Sequence, residues 1–120
     1  MSGVDKTASS VLVCDMCGSP VRVDADSFIG MVFWDKDGDV VIGCNGAKCH
    51  PDHDWCQELD AFACHESAFR ELVRITNLYD IGLSGRTRLI DVAWAATELA
   101  TPSHRARAYN LMCRRMEIGL

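Results

Sequence analysis

The sequence predicts an α+β protein in which an N-terminal β-hairpin module packs on a C-terminal bundle of about three helices. Two observations carry this reading. Residues 28–44, "FIGMVFWDKDGDVVIGC", set two runs of β-branched and aromatic side chains around an Asp-Gly turn signal. From residue 54 onward the apolar spacing changes from the period of a strand to that of a helix. A third observation, cysteine pairs on both sides of the hairpin, suggests what ties the module together.

Taken in order, residues 1–10 are small and polar and read as a flexible tail. "VLV" leads into Cys14, and Val21 and Val23 alternate with Arg22 and Asp24 as in a strand. The hairpin turns at Asp37-Gly38 and ends on Cys44. The stretch "CNGAKCHPDHDWC" that follows is too rich in Gly, Asn, Pro and Asp to start as a regular element. Asp54 and Gln57 have capping-box spacing for a first helix, with Trp55, Leu59, Phe62, Phe69, Leu72 and Leu78 as its apolar face. Glu66 interrupts that stripe, so the helix is expected to break there and restart with Ser67 as cap. A second helix over 86–100 would bury Leu89, Val92, Ala93, Ala96, Leu99 and Ala100. Thr101-Pro102 supplies a cap and a first-turn proline for a third, with Tyr109, Met112, Cys113 and Met116 turned inward. The expected organisation is a tail over 1–10, a metal-binding β module over 11–55 and a helical region over 56–120, integrated into one domain.

A chain of 120 residues with 48% hydrophobic content fits a single modest core. No apolar run approaches the roughly 18–20 residues of a membrane span, and "MSGVDKTASS" lacks the layout of a signal peptide. The expectation is a cytoplasmic protein without membrane contact. The net charge of -5 is unevenly placed: residues 1–66 hold four Lys/Arg against twelve Asp/Glu, whereas residues 67–120 hold eight arginines against five acids. The plain reading is a solvated helical surface, and the sharper one is an anion-binding or partner-binding face.

Seven cysteines are an odd number, and in a reducing compartment thiols serve as metal ligands more often than as disulfides. Cys14 and Cys17 form Cys-x2-Cys followed by Gly18, a knuckle shape in which the turn aims backbone amides at the sulfurs. Cys44 and Cys49 form a second pair, and the hairpin between the two pairs returns the chain to its start. Four such donors suit one Zn2+ per chain, though the same thiolates can hold iron. His50, His53 and Cys56 compete with Cys49 for the last position, because His53-x2-Cys56 has ligand spacing at the start of the expected helix. A second metal could draw on His50, His53, Cys56 and either Cys64 or His65. The plainer reading makes Cys56 and Cys64 small buried residues and places Cys113 in the core.

Catalytic patterns are absent. "CDMC" precedes a strand instead of opening a helix, which argues against a thioredoxin-like redox pair. "CHES" lacks the His-x-Glu of zinc deaminases, His-Glu-x2-His is missing, and the hairpin carries no histidine for a ββα-metal nuclease. The sequence therefore predicts a non-enzymatic protein, with no small-molecule substrate inferred. Metal is expected to be required for folding, because the first 50 residues hold few large apolar side chains.

At "CDMCG" and "CNGAKC" the chain resembles the zinc-ribbon superfamily, and its ligand rhythm is similar to that of the small phage zinc-finger activators of the Ogr/Delta type. The resemblance covers residues 11–55. It implies a zinc scaffold held by Cys14, Cys17, Cys44 and Cys49, with Asn45 one place from the family's usual asparagine, and it is compatible with a phage-encoded protein. The acidic segment between the pairs and the helices beyond have no counterpart there. A treble clef, using His53 and Cys56, is the other zinc fold with fitting spacing.

Two roles are expected. One is an adaptor or regulator that binds a protein partner, with a contact patch on the hairpin, since neighbours Phe33 and Trp34 point to opposite faces and Phe28 adds a third aromatic. The other is a nucleic-acid-binding transcriptional regulator using Arg105, Arg107, Arg114 and Arg115 of the last helix.

Overall fold

The computed structural model describes residues 12–44, 49, 51 and 53–117. The expected tail over 1–10, Asn45 and His50 lie outside them. Two small antiparallel sheets precede three helices, so the α+β class is as expected. Strands β1 (Arg22–Val23) and β2 (Phe28–Ile29) form a short ribbon, extended by a bridge between Val13 and Pro20. The second sheet has the order β4-β3-β5, with β3 (Met31–Trp34) between β4 (Val40–Gly43) and β5 (Trp55–Glu58). The β3–β4 turn is the expected one: Gly38 has φ of +83°, and its amide closes on the Asp35 carbonyl at 3.0 Å.

The first helix differs from expectation. Residues 55–58 form the strand β5, paired along β3 from Trp34↔Trp55 to Met31↔Glu58, so the Asp54/Gln57 box caps nothing. Pairing with an otherwise open edge of β3 satisfies those backbone groups and overrides the local helical signal. A 3-10 turn, Leu59–Phe62, follows, and helix α1 begins only at His65 and runs to Leu78. Its cap is Cys64 and not Ser67: the Cys64 Sγ accepts the Ser67 amide at 3.4 Å. Helix α2 (Leu83–Leu99) starts one turn earlier than the sequence suggests and buries the expected Leu89, Val92, Ala93 and Ala96. Helix α3 (Pro102–Glu117) opens on the expected proline.

The core lies between the sheets and the helices, around Leu12, Val32, Trp34, Ile42, Leu59, Phe62, Ile75 and Leu89. All three hairpin aromatics are inside it or beneath the chain: Phe28, Phe33 and Trp34 are each at most 4% exposed. The expected hairpin contact patch is therefore not a surface. β3 is a central strand covered on both faces, which is why adjacent aromatics can both be buried. Trp34 packs edge-on against Tyr79 at the end of α1, and its cross-strand partner Trp55 also touches that ring.

Helices α1 and α3 turn polar side chains inward. On α1 the buried positions are Ser67, Ala68, Glu71 and Ile75, leaving Phe69 and Leu78 exposed against expectation. Glu71 is buried because its carboxylate is fully engaged: Oε1 accepts from Gln57 Nε2 at 2.7 Å and from Arg74 at 2.7 Å, and Oε2 from Arg115 at 3.0 Å. Asp60, also buried, accepts the Phe28 amide at 2.6 Å and pairs with Arg107 at 3.5 Å. On α3 the inward residues are His104 and Ala108, whereas Tyr109 and Met116 are exposed and Cys113 is half-buried, not core. The Thr101 hydroxyl accepts the His104 amide, and His104 Nδ1 accepts the Thr101 amide in return, a reciprocal cap. Nδ1 being the acceptor, Nε2 carries the proton and donates it to the Asp24 carbonyl at 2.7 Å, fixing α3 to the β1–β2 ribbon.

Replacing Glu71 by alanine would orphan the Gln57 amide and open a cavity where α1, α3 and β5 meet. A loss of about 2–4 kcal/mol in urea unfolding is expected; a loss below about 0.5 kcal/mol would show that the carboxylate holds nothing together.

Candidate metal centre

The four cysteines singled out by spacing come together. One sulfur each from Cys14, Cys17, Cys44 and Cys49 lies within 4.8 Å of all the others. Cys17 Sγ and Cys44 Sγ are 3.5 Å apart, and Cys44 Sγ and Cys49 Sγ 3.8 Å. A tetrahedron with metal–sulfur bonds of about 2.3 Å has edges of about 3.8 Å, so the separations and the all-thiol donor set fit a tetrahedral ion such as zinc. They are also too long for disulfides, and all seven cysteines are free.

Local structure explains each position. Cys14 begins a tight turn: the Gly18 amide bonds the Cys14 carbonyl at 2.9 Å, and Gly18 takes a φ of +77° that suits glycine. The turn points the Met16 and Cys17 amides at the Cys14 sulfur, at 3.3 and 3.4 Å. Cys44 follows directly on β4, so the hairpin delivers it opposite the knuckle. Gly43 is required for Cys49: a methyl group there would collide with the Cys49 carbonyl and the Phe33 ring. The Cys49 backbone thus lies against Gly43 with no room for a side chain between them.

Asp15, inside the knuckle, clamps it to the sheet. Its amide donates to the Ile42 carbonyl at 2.8 Å, its Oδ2 accepts the Ile42 amide at 2.7 Å, and Arg88 of α2 bonds the same carboxylate at 3.0 Å. Sequence reading passed over Asp15, Arg88 and Gly43, since an acid between two cysteines and a glycine at the end of a strand carry no distinctive local signal.

The sulfurs do not ionise alike. The Ser19 hydroxyl and amide, followed by the neighbouring thiols, lower Cys17 to about 6. Burial pushes Cys14 up, but the amides of Cys17, Cys44 and Met16 outweigh it and hold the thiol below its usual range. Cys44, facing the Cys17 sulfur and partly desolvated, is pushed up to about 12, and Cys49 is raised by Cys14 and by burial. Four thiolates this close repel one another, so protons stay on two of them unless a cation replaces the protons.

Of the competing ligands, those among the described residues lie elsewhere. Cys56 is exposed on β5 opposite Phe33, and Cys64 caps α1. His53 joins the hairpin turn, its Nε2 3.0 Å from Asp39 Oδ2 and 3.8 Å from Asp35 Oδ2. This trio is a second group of metal-type atoms within 4.8 Å of one another, and the hydrogen bond between the His53 ring and the exposed Asp39 accounts for it. Among the described residues, His53, Cys56, Cys64 and His65 do not assemble into the second site expected of them. The treble-clef arrangement fails for the same reason: His53 and Cys56 flank the start of a strand, not a helix N-terminus.

The arginines of α3 also have protein contacts. Arg107 and Arg115 pair with Asp60 and Glu71, and Arg105 reaches the Thr97 carbonyl at 3.5 Å. Arg114 borders a shallow groove beside Asp26 and Arg107. No helix among the described residues is long and apolar enough to cross a membrane. No protein-family model matches this chain, and comparison with curated proteins and with solved structures finds no match. The geometry of the four sulfurs is compatible with a zinc-binding motif, and the resemblance to zinc ribbons rests on the cysteine spacing alone.

Because Cys44 and Cys49 are pushed above the usual thiol range and hold their protons at pH 7, metal binding to the reduced protein should release at least about two protons per ion. Affinity then falls at least about a hundredfold per pH unit lowered, and more steeply below about pH 6 as Cys17 also takes up a proton. Calorimetry in buffers of different ionisation enthalpy measures this directly. Release near zero would contradict the assignment of protons to these two sulfurs.

Proposed function

We infer that this chain is a small zinc-binding, non-enzymatic protein whose metal holds a β module in place, and that it acts as an adaptor or regulator by binding a protein partner. The observation that carries the zinc part is the convergence of Cys14, Cys17, Cys44 and Cys49 within 4.8 Å. All four corners come from protein thiols, which leaves no corner for a substrate or activated water and marks the ion as structural. Iron in the same tetrahedron is the alternative occupant, and would colour the protein. The partner part is supported by large apolar side chains exposed on the helices, Phe69 at 70% and Trp94 at 64% among them.

The nucleic-acid reading has less support. Arg105, Arg107 and Arg115 are directed at acceptors within the protein, and phosphate contacts would have to compete with a buried carboxylate for two of them.

Zinc content of two variants tests the ligand set. Cys44→Ser removes one of four thiolates and is expected to abolish stoichiometric zinc and to leave an aggregating protein, whereas Cys56→Ser, at an exposed strand position, should keep one zinc per chain. Zinc retained by the Cys44 variant and lost by the Cys56 variant would overturn the assignment. For the adaptor role, affinity purification from the host is expected to return a stoichiometric protein, and return of none would sink it.

A further inference from the structure

Because Glu71 occupies the inward position of α1, the helix turns Phe69 and Val73, one turn apart, to the outside. α3 presents Met112 and Met116 alongside them at the same spacing. Between the two helices lies a largely apolar groove of about 510 Å³, lined by Phe69, Arg70, Val73, Arg74, Met112 and Met116. Phe69 is shared with a second apolar groove, of about 290 Å³, where Ile90 and Trp94 of α2 stand 55% and 64% exposed. Three helices thus contribute pairs at i, i+4 spacing to one continuous face.

We propose that this face is the docking site for an amphipathic helix of a partner protein whose apolar stripe is flanked by glutamate or aspartate. The proposal rests on the adaptor reading and narrows it to one surface and one class of ligand. The shape is that of a groove between two helices, which receives a third helix through residues spaced three and four apart. Methionine side chains adapt to varied apolar partners. The charge selects the flanks: the charged residues lining the larger groove are Arg70 and Arg74, and the nearby Glu71 sets one negative charge against both Arg74 and Arg115, so the cluster stays net positive. The same charge disfavours a second copy, because a two-fold axis over α1 would set Arg70 and Arg74 of one copy against those of the other.

The test uses the zinc-loaded full chain and two synthetic helical peptides of about 18 residues with an identical leucine stripe, one with glutamates on its polar face and one with lysines. The protein's net charge of -5 favours the lysine peptide overall, so a preference for glutamate can arise only from the local groove. In fluorescence anisotropy at physiological salt the glutamate peptide is expected to bind at least about tenfold more tightly, a difference of about 1.4 kcal/mol. Phe69→Ser, at an exposed position, should reduce that affinity at least about tenfold while zinc content and thermal midpoint stay unchanged, and Arg70→Glu should narrow or reverse the peptide preference. Equal affinity for the two peptides, or full binding by Phe69→Ser, overturns the proposal. So does a dimer in sedimentation that Phe69→Ser abolishes, since the face would then be a self-interface. A host partner recovered equally with wild type and Phe69→Ser leaves the adaptor standing and removes the groove. Peptide binding by a protein without zinc removes the metal reading alone.

Discussion

Four sulfur atoms in one small volume set the constraint on which the N-terminal half depends. The knuckle at Cys14 and Cys17 and the end of β4 at Cys44 are far apart in the chain, and the hairpin exists in the form it does because it brings them together. Left as thiols they repel as they ionise, so the same closeness is unfavourable without a cation and strongly favourable with one. Coordination in zinc-finger peptides is worth about 10–16 kcal/mol in apparent terms at neutral pH, against net stabilities of about 5–15 kcal/mol for whole domains. Gly43 and Asp15 belong to the same constraint: one admits the Cys49 backbone, the other ties the knuckle to β4 and, through Arg88, to α2.

The helical half is organised by buried polar groups instead. Glu71, Asp60 and His104 are each nearly inaccessible, and each is satisfied by partners from a different element. Such groups are costly when unpaired, so together they define one arrangement of α3 against the rest. The outward turn of Phe69, Val73 and Met116 follows from this. An apolar stripe that packed inward would have displaced the carboxylate network, and the helices keep the network and expose the stripe.

These two modes of organisation explain how much could be read from the sequence. Cysteine spacing is a direct record of ligand geometry, so Cys14, Cys17, Cys44 and Cys49 were legible, as were the Asp37-Gly38 turn and the Thr101-Pro102 start of the last helix. Trp55–Glu58 was not, because a strand added to an edge is chosen by what the edge lacks, whereas local spacing suggested a helix. The inward faces of α1 and α3 were misjudged for a related reason. Periodicity assumes that apolar residues go inside, and nothing local marks Glu71 or His104 as the side chains that replace them. Asp15 and Gly43 are legible only once the sheet is known.

Zinc K-edge X-ray absorption on the reduced, purified protein tests the four-thiolate centre most directly. Four sulfur scatterers at about 2.3 Å and no light-atom ligand are expected for Cys14, Cys17, Cys44 and Cys49. A nitrogen at about 2.0–2.1 Å would bring a histidine into the site and contradict it, as would a protein that folds with no metal bound.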